Sequence, residues 1–185
     1  MPFRPVLLDN QLWYKCEAFP APLAKECRAW LTDSGSLTAK LKAQFPGSFQ
    51  VDVLFQDWEQ PTADECRFLA INEQEEANIR EVMLICNGIP MVFARSILPA
   101  ATLEGKNREL LDLRNRPLGE FIFSQPELER GPIEITRVPD LHGHTVWGRR
   151  SQFMLNHKPL AVCEYFLPAL FAGYSKAVSM GASFE

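Results

Sequence analysis

Apolar side chains recur at helical spacing across residues 22–31, where Leu23, Cys27, Trp30 and Leu31 fall on one face. Ser34-Gly35 interrupts that pattern, and Ser36 is placed to cap a second short helix from Leu37 to about Phe45. From Phe49 the period becomes two: Phe49, Val51, Val53 and Phe55 alternate with polar or smaller residues, which predicts a strand. Residues 59–76 are acidic and Pro-bearing and read as loop, with a short strand or turn at 67–71. The clearest signal lies at 79–98. Two apolar, partly β-branched runs there flank Asn87-Gly88, the dipeptide of a two-residue hairpin, and Pro99 closes the second run. Helical signals return at 107–113 and 117–123, with Pro117 suited to a first turn. Strands follow at 133–138, 146–155 and 160–167, the last two joined through 156–159. Residues 171–185 are rich in small side chains and read as a loosely attached tail.

Elements in that order predict an α+β fold: a single domain over residues 1–185, with a mostly antiparallel sheet covered by helices on one side. No apolar run approaches the ~20 residues of a membrane helix. The first residues lack the apolar segment and cleavage site of a signal peptide, so a cytoplasmic protein is expected. The net charge of −4, with Arg149-Arg150 as the densest basic run, argues against a nucleic-acid partner. An anionic small molecule would need arginines placed locally. Five cysteines without CxxC spacing predict neither a disulfide framework nor a zinc site. His142-Gly143-His144 has no third metal ligand in view and reads as loop. No GxGxxG, Walker, HExxH or GxSxG motif is present, so no metal and no nucleotide cofactor are expected.

Two local anomalies carry candidate chemistry. With Asn87 and Gly88 as the loop, Cys86 opposes Ile89, and the same register sets Arg80 opposite Arg95. Arg80 then shares a face with Val82, Leu84 and Cys86, and Arg95 with Met91 and Phe93. Like charges directly opposed on an apolar face are costly. Either the face is solvated or neutralised by glutamates, or the pair awaits an anion, since guanidinium forks match carboxylates. A slip of one residue would remove the pairing. The second anomaly is Glu164, which shares a strand face with Leu160, Val162 and Phe166. Among apolar side chains a carboxylate favours its protonated form unless a cation pairs with it. It is either a proton donor or the partner of Arg149 or Arg150. Trp147-Gly148-Arg149-Arg150 reads as a bulge.

The segments REVMLICNGIPMVFARSILP (80–99), RPLGEFIF (116–123), IEITRV (133–138) and WGRRSQFMLNHKPLAVCEYFLP (147–168) together resemble the chorismate pyruvate-lyase family, with WLTDSGSLT (30–38) a looser match. The resemblance is strongest over residues 12–168. It implies a chorismate lyase-like α+β domain whose sheet floors a ligand site enclosed under helical flaps. It implies Arg80 as the partner of the ring carboxylate and Glu164 as the residue near the ring hydroxyl. Leu37 and Leu118 would offer backbone N–H groups to carboxylate oxygen, and Arg95 would be a second arginine lining the site. Leu37 stands where a methionine can occur, and Ala94 where a glycine can stand.

The implied reaction takes chorismate to 4-hydroxybenzoate and pyruvate for ubiquinone synthesis, with no cofactor. The protein would act as a monomer and make at most transient contact with a membrane enzyme. Three other readings stay open. One is a non-catalytic effector-sensing domain, since such domains of bacterial regulators look similar in fold. Another is a chorismatase-type enzyme making a different hydroxybenzoate. The third is a structural partner in a quinone-synthesis assembly, which would bind without turning over.

Overall fold

The Asn87-Gly88 turn forms as expected, with positive φ at both residues (51° and 77°) as a two-residue hairpin requires. It joins β3 (Ala77–Cys86) to β4 (Ile89–Pro99), two interior strands of an eight-stranded antiparallel sheet. The computed structural model describes residues 11–139 and 145–172; His142, His144 and residues 173–185 of the predicted tail lie outside them. The other strands are β1 (Tyr14–Lys15), β2 (Phe49–Glu59), β5 (Glu129–Arg130), β6 (Glu134–Pro139), β7 (Thr145–Leu155) and β8 (Lys158–Phe166). They lie in the order β1-β6-β7-β8-β4-β3-β2, with β5 added alongside β7.

The expected register holds for only two residue pairs. Cys86 faces Ile89 and Ile85 faces Pro90, but Leu84 then faces Val92, leaving Met91 as an extra residue. Pro90 has no N–H to give the ladder, and prolines within sheets concentrate at such irregularities. The consequence runs the length of the hairpin. Arg80 opposes Ser96, and Arg95 opposes Glu81. The predicted Arg80–Arg95 pair therefore does not exist: a one-residue bulge sends the two side chains to opposite faces.

The helices are α1 (Lys25–Leu31), α2 (Leu37–Gln44), α3 (Ala63–Leu69) and α4 (Leu118–Phe123), with a 3-10 helix over Gly105–Asp112 where the sequence predicts an ordinary one. Ser36 caps α2 as predicted, its hydroxyl accepting from the Ala39 N–H at 3.3 Å. The predicted strand or turn at 67–71 is instead the end of α3. Its start is a capping box, Thr62 with Glu65, a signal present in the sequence within an acidic, Pro-bearing stretch. Trp30, Leu31 and Leu41 from α1 and α2 pack with Val82, Leu84, Val92 and Phe166 on one face of the sheet. Leu69 of α3 joins Ile79, Met83, Phe93 and Tyr165 on the other, so helices cover both faces rather than one. Gly148 makes no bulge. It pairs regularly with Thr136 and Tyr165, and a Cβ there would meet both side chains at 2.9 Å.

Candidate functional site

Residues directly opposed across a ladder share a face, so the pairings define two parallel rows across the sheet. One runs Arg80, Ser96, Val162, Ser151; the other runs Val82, Ala94, Glu164, Arg149. From these rows Arg80, Val82, Ala94, Ser96, Val162 and Glu164 form the floor of a narrow cavity whose walls and roof are Leu37 and Thr38 of α2, Pro117, Leu118 and Gly119 at the start of α4, and Phe153 of β7. The space between these walls, counting the open mouth, is about 530 Å³.

Arg80 stands at one end, 1% exposed, in a setting that leaves its charge uncompensated. One amino group donates to Gln56 Oε1 at 2.6 Å, the other to the carbonyls of Arg114 and Arg116 at 2.7 and 3.3 Å. Nε has no partner, and among the described residues no carboxylate lies within ion-pair distance. Burial draws the guanidinium down to about 10, because nothing nearby repays the lost hydration of the cation.

Glu164 lies two strands away, across two intervals of about 4.8 Å each, and is 15% exposed. Its Oε2 accepts from Arg149 Nε at 2.5 Å. Arg149 also donates to the carbonyls of Trp30 and Asp33, at 2.8 and 2.7 Å, so the carboxylate is fixed to the segment leading into α2. Of the two readings of Glu164, the ion pair with Arg149 is present, and the carboxylate also faces the same cavity as Arg80.

Leu37 and Leu118 open α2 and α4, where first-turn N–H groups have no acceptor within the helix. The two starts lie side by side: a Cβ on Gly119 would sit 3.5 Å from Thr38 Oγ1. Of the five residues expected to line the site, Arg80, Glu164, Leu37 and Leu118 do so, and Arg95 does not. Arg95 is buried on the opposite face, its guanidinium held by Glu65 at 2.7 and 3.0 Å and by Glu81 at 2.9 Å. Arg150 is likewise structural. It is paired with Asp64 and Glu134 and its guanidinium lies over the rings of Trp13 and Phe68. Sequence reasoning missed Ser96, Thr38 and Gln56. Ser96 could have been found by allowing a bulge at Pro90; the other two carry no local signal.

A sheet floor with a buried cation, roofed by helix starts, makes this an α+β domain with a cavity on one face of its sheet. The chorismate lyase family profile matches residues 7–177. A probable chorismate pyruvate-lyase of Pseudomonas aeruginosa (strain UCBPP-PA14) is 37% identical over 169 residues, covering 88% of this chain and 94% of that protein. One from Methylococcus capsulatus is 38% identical over 155 residues, covering 78% and 96%. The chain belongs to the chorismate lyase family and is a lyase. In fold it is similar to the effector domain of PhnF from Mycobacterium smegmatis, with TM-score 0.54 and 16% identity over 73% of this chain and 90% of that one. It is similar also to the C-terminal domain of the histidine utilization repressor of Pseudomonas syringae, at 0.51 and 12% over 66% and 93%. Among the described residues no helix is long and apolar enough to cross a membrane.

Proposed function

We propose that the protein eliminates pyruvate from chorismate to give 4-hydroxybenzoate for ubiquinone synthesis. The observation that carries this reading is the uncompensated Arg80 guanidinium facing the same cavity as Glu164. Arg80 anchors the ring carboxylate through a charge-assisted bond, with the Leu37 and Leu118 N–H groups completing its shell. Glu164, held by Arg149 through Oε2, accepts the C4 hydroxyl. Breaking the C3–O bond releases enolpyruvate, C4 gives up its hydrogen as a proton, and the enolpyruvyl methylene takes up a proton to become the methyl of pyruvate. The ring becomes aromatic, so the driving force is in the substrate and the bond changes need neither redox nor metal chemistry. The protein supplies orientation, worth up to about 7–11 kcal/mol when positioning is ideal. The product would then pass to a membrane enzyme by transient contact.

The deciding experiment incubates purified protein with chorismate, without added metal, and identifies the benzoate isomer by chromatography. A 3-hydroxybenzoate product replaces this reading with a chorismatase one, and binding without turnover leaves only an effector-type role. Glu164→Gln is expected to lower kcat more than it weakens 4-hydroxybenzoate binding, because an amide keeps the hydrogen bond and loses the base. Equal losses would reduce Glu164 to a positioning role. Because the cavity is roofed by α2 and α4, product should leave slowly. A pre-steady-state burst of one equivalent is expected, and a linear onset would place the slow step before product formation.

A further inference from the structure

With Arg95 on the far face, the second arginine that the resemblance implied for the site cannot serve the second carboxylate of a dianionic substrate. A different guanidinium stands behind the Phe153 wall of the cavity. Arg130 of β5 pairs beside Phe153 of β7, and its cation lies 5.1 Å from the centre of that ring, itself a wall of the cavity. Its Nε donates to Ser151 Oγ at 3.0 Å. Ser151 closes the same cross-sheet row that Arg80 opens, so the two cations stand at opposite ends of that row. One amino group reaches the carbonyls of Asp33 and Gly35 at 3.3 and 3.5 Å, just before Leu37. No carboxylate among the described residues lies within ion-pair distance of Arg130. Burial, with Arg149 close by, draws it down to about 10, opposed by the fields of Glu164 and Asp33.

Local charge points the same way. Around this end stand three cations, Arg130, Arg149 and Lys40, against two carboxylates, Glu164 and Asp33, each already paired. One positive charge is left over there and another at Arg80. On the ring, the enolpyruvyl ether and the C4 hydroxyl occupy adjacent carbons. A ligand with its hydroxyl at Glu164 and its ring carboxylate at Arg80 must therefore carry its second carboxylate on the Glu164 side. Resting on the lyase reading, we propose that Arg130 binds the enolpyruvyl carboxylate, and so distinguishes the dianionic substrate from the monoanionic benzoate product.

The test compares two ligands in R130A and R130K: chorismate, through kcat/KM, and 4-hydroxybenzoate, through its Kd by calorimetry. The expected result in R130A is a fall of about a hundredfold in kcat/KM, the usual scale for truncating one partner of a desolvated charge pair. The 4-hydroxybenzoate Kd should stay within about threefold, showing an intact site. R130K should recover part of the chorismate loss, since it keeps the charge without the fork. If both ligands weaken equally, Arg130 only staples the 33–35 segment and the proposal falls. It falls too if R130A turns over chorismate normally. Should unaltered protein fail to turn over chorismate, the lyase reading fails. The same comparison, made on binding affinities, then still decides Arg130, and no chorismate binding at all overturns both.

Discussion

Turnover of chorismate should fall by two to three orders of magnitude in Arg80→Ala, about 3–4 kcal/mol of lost transition-state stabilisation. The size follows from the setting. Arg80 is 1% exposed, its Nε has no partner, and only neutral groups hold its amino nitrogens. A ligand carboxylate arriving there meets a cation already stripped of water, and without that cation it would itself be buried uncompensated. The fold, by contrast, gains little from this charge. Arg80→Leu forfeits hydrogen bonds to Gln56, Arg114 and Arg116 worth about 1 kcal/mol each, but also removes a desolvated cation. Its melting temperature should stay within a few degrees of the unaltered protein, while 4-hydroxybenzoate raises the melting temperature of the latter alone. Steady-state kinetics with thermal denaturation separates the two effects. Near-normal turnover in either variant would take Arg80 out of the mechanism.

Much of this arrangement is legible in the residues, and its failures have physical causes. Asn87-Gly88 announces its hairpin because that turn demands positive φ at two successive positions, which few residues tolerate. Ser36 announces α2 through its cap. Glu164 stands out because a carboxylate on an apolar strand face needs a reason. What pattern alone could not deliver was the register beyond Pro90. Periodicity reports which residues alternate, and a single extra residue inverts the alternation without changing its appearance. The error then fell on the one pair where face mattered, Arg80 and Arg95. The same limit hid Arg130. It sits on a two-residue strand with no periodicity of its own, and only the pairing of β5 with β7 brings it to Ser151 and Phe153. The family resemblance implied that Arg95 lines the site, and the bulge instead turns it to the opposite face of the sheet.

Arg95→Ala should have the opposite profile to the Arg80 variants: a large loss of stability with little loss of turnover per folded molecule. Arg95 joins two buried carboxylates, Glu65 and Glu81, that belong to different elements, and burial of the guanidinium is outweighed by both, which hold it firmly in its charged form. Truncation leaves those carboxylates buried without the cation between them, a change that costs about 3–5 kcal/mol. Glu65 also closes the capping box of α3, its Oε2 accepting from the Thr62 N–H at 2.9 Å, so the helix loses its anchor to β4 as well. For a chain of this size each kcal/mol lowers the melting temperature by about 2–4 °C, so a drop of roughly 10 °C is expected. Yet kcat/KM, measured well below that transition, should stay within about threefold, because Phe93, Arg95 and Ile97 face away from the cavity while Ala94 and Ser96 line it. A variant that melted normally but lost turnover would mean that the Arg95 guanidinium reaches the ligand, and that the bulge at Met91 does not govern the register of the hairpin.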